Sequence, residues 1–327
     1  MGKVRYYWVD WMKVLGMFLI VWGHFFPKSF CDAIYSFNVP LFFCISGYLG
    51  GVKSLKLKPL VIPYLVICAT YLILDIPWQY KEGNLNIENY LRSIGYMLAG
   101  FQTTPRGVSA SALWFVYTLA LCKVIHSISK RDIYRLLIAL LCLALAYLTK
   151  DIHLFWSYQN VFVCYPFYFI GALAFAHCQS HIHRICSFAQ NKRLQSISLI
   201  CVTLLALLLI APYNGFVMMY QCGFGHNILL FLLLSMIGIG VIFLLSVILE
   251  KQRPSFLRII SQGSIVILAY HYLGVRIFNT ICSRVNENIM NNDILTLFIT
   301  LILMVMFIPI IKCVSRYVPT ILGGKKI

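Results

Sequence analysis

Three ionisable side chains sit in or beside the first apolar run of this 327-residue chain: Asp10, Lys13 and His24. In hydrocarbon such groups are costly, and those that persist tend to face a bundle interior and to serve function. His24 falls eleven residues after Lys13 and fourteen after Asp10. On an α-helix these separations are three turns plus about 20° and four turns less about 40°, so all three share one face. The rise from Lys13 to His24 is roughly 16 Å, about half a hydrocarbon core. Histidine is the side chain best suited to take up and return a proton near neutral pH, which makes His24 a candidate general base. The plainer reading is a helix-end imidazole, before Pro27, satisfied by a carbonyl. Lys13 could neutralise an anionic ligand or simply snorkel to headgroups. Asp10 could pair with Lys13 at i, i+3 or favour the helix start.

A second stretch, Val39 to Leu49, contains Pro40, Ser46 and Gly47. Ser46 offers a hydroxyl that would need an adjacent base to act as a nucleophile, while Ser46 and Gly47 together also suit close helix packing. His271 falls mid-run and is expected to face the bundle, for structure or for chemistry. Arg106 could bind an anionic acceptor group or snorkel, and His153 and His226 fall at or near outer loops. His177, His181 and His183 cluster in a basic segment without acidic or cysteine partners. They read as a solvated loop, and no metal site is assigned.

The elements that position these residues follow from composition. The chain is 61% hydrophobic and 11% charged, with a mean hydropathy of +0.83, against about a quarter charged in soluble domains. This is a polytopic membrane protein. Its net charge of +17 lies in short clusters between apolar runs, which orients spans and excludes nucleic acid as the expected partner. Twelve cysteines are scattered mostly in apolar segments without C-x-x-C spacing, and read as small core hydrophobes.

Runs of membrane-spanning length fall at about 11–26, 33–50, 58–76, 111–128, 133–149, 160–178, 194–212, 227–249, 262–282 and 293–312. The expected fold is all-α: a single domain over 1–327 with ten spans and both termini cytoplasmic. Setting Lys13 aside, this arrangement places nineteen lysines and arginines inside and seven outside, as the positive-inside rule requires. The long outer connection from Pro77 to Ala110 has Ile87, Tyr90, Leu91, Ile94 and Leu98 at helical spacing, which predicts a short amphipathic helix.

Taken together these stretches resemble the membrane acyltransferase 3 family. The resemblance lies in Lys13 and His24, a basic residue, ten positions and a histidine, and in Phe42, Phe43, Ser46, Gly47 and Tyr48, a Phe-Phe-x-x-Ser-Gly-Tyr element. Weaker elements follow in order: Trp114-Phe115-Val116, Phe169-Ile170-Gly171, and Ser264 with His271 seven residues on. Lys13 stands where many members carry arginine, and Leu268 where tyrosine is usual.

The resemblance implies an acyl-CoA-dependent O-acyltransferase of the cell (inner) membrane. Acetyl-CoA is the expected donor by family frequency, no cofactor is tightly bound, and the acceptor is a sugar hydroxyl of an exported or lipid-linked glycan. His24 would be the catalytic base with Asp10 in support, and Lys13, Ser46, His271, Trp114 and Arg106 would line the substrate sites. With no further domain after Ile327, the acyl group is expected to pass directly to its final acceptor. Assembly as a homo-oligomer stays open. Rival readings are a transporter or flippase, and an inactive relative serving as an assembly partner.

Overall fold

The computed structural model describes residues 5–50, 55–81, 83, 86–100, 113–152, 158–285 and 292–322, and all regular structure there is helical. Thirteen α-helices follow in order: α1 (Tyr7–Gly23), α2 (Cys31–Gly50), α3 (Lys58–Lys81), α4 (Ile87–Leu98), α5 (Trp114–Ser127), α6 (Asp132–Leu148), α7 (Asn160–His177), α8 (Gln179–Asn191), α9 (Arg193–Asn214), α10 (Ile228–Leu249), α11 (Ser255–Gln262), α12 (Ser264–Val285) and α13 (Asp293–Tyr317). Each of the ten expected runs is a helix. Seven of these helices are long and apolar enough to cross a membrane, while α1, α5 and α6 have 17, 14 and 17 residues. The amphipathic helix expected in the long connection is α4.

Two short helices were not expected. The basic stretch with His181 and His183, read as a solvated loop, is the helix α8. In addition His177, in the last turn of α7, has an acidic partner, its Nε2 lying 2.7 Å from Asp132 Oδ2. The other is α11, eight residues placed between α10 and α12. Both are too short and polar to stand out as apolar runs, and amphipathic periodicity is their only mark in the sequence.

The core divides into two clusters that meet along α1 and α2. One joins α2, α7 and α10 with flanking α6 and α9, and the other joins α3, α11, α12 and α13. The first is held by backbone contact. A Cβ built on Gly47 would lie 1.9 Å from the Tyr168 carbonyl oxygen, and one on Gly171 would lie 1.9 Å from that of Cys44. Two sequence elements far apart, Ser46-Gly47 and Phe169-Ile170-Gly171, are thus the two sides of one helix crossing. Small residues at such crossings let backbones approach and gain dispersion energy where no hydrophobic effect drives association.

Pro40 lies inside α2 and has no N–H for the carbonyl of Ser36 four residues earlier. Ser235 of α10 supplies the missing donor, its hydroxyl donating to that carbonyl at 2.6 Å. The break is therefore filled by a neighbouring helix, as hydrocarbon burial demands.

Candidate active site

On α1 the buried and half-buried residues Lys13, Met17 and Ile20 recur at helical spacing and face a cavity of about 540 Å³. Three further helices contribute stripes of the same period: Phe42, Ser46 and Leu49 of α2, Val116, Leu119 and Lys123 of α5, and Ser264, Ile265 and Leu268 of α12. Helical spacing is what lets each element present one face to a shared interior path. At one end of the path stand three lysines, Lys13, Lys56 and Lys123. A second cavity of about 440 Å³ adjoins that end and shares Lys13, Leu49 and Gln262 with the first. The Oε1 of Gln262 is buried without a hydrogen-bond partner among the described residues.

The path runs up α1 and α12 as far as Ile20 and Leu268, and the two histidines begin one turn beyond. His24 Nδ1 donates to the Ile20 carbonyl at 2.8 Å, and His271 Nδ1 donates to the carbonyls of Ile267 and Leu268 at 3.0 and 2.9 Å. A carbonyl can only accept, so in each neutral ring Nδ1 carries the hydrogen and Nε2 keeps the lone pair. The two rings meet edge to face with centroids 4.6 Å apart. His271 is 1% exposed, and its Nε2 has no hydrogen-bond partner among the described residues. Two helices thus bring two imidazoles together, each held in the tautomer that leaves Nε2 basic, which is the state a general base needs.

Aromatic rings surround the His24 end. Tyr35 and Tyr272 lie 6.3 and 6.1 Å from His24, and Phe26 and Phe216 pack on Tyr35 at 6.0 and 4.5 Å. Phe26, two residues after His24, has φ +51. The left-handed region costs a residue with a Cβ roughly 1–2 kcal/mol, so this turn is held by its surroundings rather than by local preference.

Other sequence candidates are placed differently. Asp10 lies in the first turn of α1, where an acidic side chain favours the helix start, and its carboxylate bonds to partners outside α1. Its Oδ2 accepts from Arg5 Nε at 2.7 Å and its Oδ1 from Ser261 Oγ at 2.5 Å, and the N-cap of α1 is Tyr6. The carboxylate therefore ties the start of α1 to α11. It stands about 20 Å along the helix from His24, so the structure does not bring Asp10 to the imidazole it was expected to support.

Ser46 opens on the cavity beside Phe42, and among the described residues no imidazole lines that cavity. In the Trp114 element, Phe115 and Val116 line the cavity, whereas Trp114 packs on Phe115 and the first core cluster. Leu268, in the place of the usual tyrosine, forms cavity wall and gives His271 its carbonyl, while Tyr270 turns away to bond Thr70 and stack on Tyr71. Arg106 and His153 lie outside the described residues. Sequence reasoning missed Lys56, Lys123, Gln262 and the contact between His24 and His271. Only long-range packing joins these residues, and no local pattern announces it.

Among the described residues an all-helical architecture places a lysine-ended cavity one turn short of the contact between His24 and His271, the kind of polar interior that a membrane enzyme needs. The family model described as "Acyltransferase domain" (Acyl_transf_3) matches residues 6–313, nearly the whole chain, and the protein belongs to that family of membrane acyltransferases. No curated protein and no solved structure gave a match.

Proposed function

We propose that the protein is an O-acyltransferase that moves an acyl group from acyl-CoA to a sugar hydroxyl, with donor and acceptor meeting at His24 from opposite ends of the bundle. The observation that carries this reading is the cavity between Lys13 and Ile20, which runs from a cluster of cations to the turn of α1 just before His24. Ten spans with both termini cytoplasmic would place the lysines at the inner surface of the cell membrane and His24 towards the outside. The lysines suit the phosphates of coenzyme A. The buried acceptor of Gln262 suits an amide N–H of the pantetheine arm, since an unpaired buried acceptor gains most from such a donor. The rings of Tyr35, Tyr272 and Phe26 suit a sugar, whose C–H face packs on aromatic surface while its hydroxyls remain free to bond. Acetyl is the expected acyl group.

In this reading His24 Nε2 takes the proton of the acceptor hydroxyl as its oxygen attacks the thioester carbon. The C–S bond then breaks, the acyl ester forms, and the leaving thiolate recovers the proton from His24 to give free thiol. Neither metal nor resident cofactor enters the reaction.

The test is transfer of labelled acetyl from acetyl-CoA to glycan in membranes of expressing cells. Label should enter glycan with the wild-type protein and not with His24→Ala. Transfer that persists in His24→Ala would remove the histidine assignment, and uptake of a glycan precursor without any acyl transfer would favour a transporter.

A further inference from the structure

The turn that follows His24 is tied to a helix that begins 269 residues later in the chain. Both oxygens of Asp293, the first residue of α13, accept main-chain hydrogens from this turn: Oδ1 from Lys28 N–H at 2.8 Å and Oδ2 from Ser29 N–H at 3.0 Å. One turn further along α13, Thr296 Oγ1 accepts from the indole N–H of Trp22 at 3.1 Å, while its own hydrogen goes to the Asp293 carbonyl at 3.0 Å. Asp293 does not cap its own helix. Asn292 does so, accepting from Ile294 and Leu295. The Asp293 carboxylate is thereby left to the His24 turn, as a charged acceptor for two backbone donors.

His24 is therefore bracketed, by Trp22 two residues before it and by Lys28 and Ser29 just after it, and both brackets close on the same turn of α13. Within the bracket lies Phe26 in its left-handed conformation, which a free turn would abandon. From this geometry we propose that Asp293 is a positioning residue: together with Thr296 it fixes the turn that sets where His24 sits against His271. The proposal rests on the reading of His24 as the base and adds what holds it there.

The test combines hydrogen exchange with kinetics on the purified full-length protein in nanodiscs, using Asp293→Ala, Asp293→Asn and Thr296→Val. In Asp293→Ala, exchange at Lys28 and Ser29 is expected to quicken by about tenfold or more. The kcat for acetyl transfer, per folded protein, should fall by roughly 10- to 100-fold while the KM for acetyl-CoA stays within about twofold. Asp293→Asn keeps one acceptor oxygen and should fall between the two, a graded rescue that loss of fold would not produce. Should the alanine variant fail to fold, Asn and Val carry the same comparison. Wild-type kcat in Asp293→Ala, or lost activity with unchanged exchange in the 22–30 segment, would overturn the proposal. If the wild-type protein transfers no acyl group, the acyltransferase reading falls, and exchange alone decides whether Asp293 holds the turn.

Discussion

The two ends of α1 solve opposite problems with the same helix. At the Lys13 end the wall is basic, two cavities of about 540 and 440 Å³ adjoin, and Lys56 and Lys123 approach from other segments. At the His24 end the side chains are aromatic, the neighbouring His271 is buried, and backbone carbonyls rather than charges orient both imidazoles. The lysines gather in the cavity wall, where the anionic groups of the proposed donor would be held, while the charge tied to the His24 turn, the Asp293 carboxylate, is negative. A cation beside His24 would disfavour the protonated imidazole through which the proposed reaction would pass. The ionisable stripe on α1 thus has a basic end and a histidine end, with apolar wall from Met17 to Ile20 between them.

Perturbing each end should therefore give different kinds of defect. The largest effect is expected from His24→Ala, which removes the proposed base and should cut kcat on the order of 10³-fold with protein yield preserved. A loss confined to KM would erase the distinction between the ends. Next, Lys13→Ala should raise the KM for acetyl-CoA by about tenfold and change kcat little, as removal of one charged contact to a phosphate does. An unchanged KM would detach Lys13 from the donor. The smallest effect is expected from His177→Ala. Its bond to Asp132 joins side chains that are 59% and 37% exposed, where an ion pair contributes about 0–1 kcal/mol, so activity should be unaltered and the melting temperature nearly so. A marked loss of transfer would place chemistry on the α7–α8 surface.

Much of this arrangement was legible before the fold. Long apolar runs located ten helices, seven of them long and apolar enough to cross a membrane, because hydrocarbon thickness sets the length of a span, and α4 announced itself by spacing. The shared face of Lys13 and His24 followed from helical geometry alone. What stayed hidden depends on contacts between residues far apart in the chain. Asp10 was assigned from its own helix, yet its partners are Arg5, outside the helix, and Ser261, 251 residues away. His271 had no local sign that it would meet His24, and no local pattern ties Asp293 to the turn after His24. The end of α1 was also misplaced by a few residues. The run extends apolar through Phe25 and Phe26, but the left-handed backbone at Phe26 ends the helix at Gly23.

In the proposed reading one cavity brings the acyl end of the donor towards His24 and His271. Photocrosslinking with an acyl-CoA analogue that carries a diazirine on its acyl chain tests this most directly, with labelled peptides identified by mass spectrometry. Label is expected on α1 between Met17 and His24 and on α12 around Leu268, competed away by acetyl-CoA and weakened in Lys13→Ala. Label confined to residues outside the cavity, or indifferent to acetyl-CoA, would contradict it.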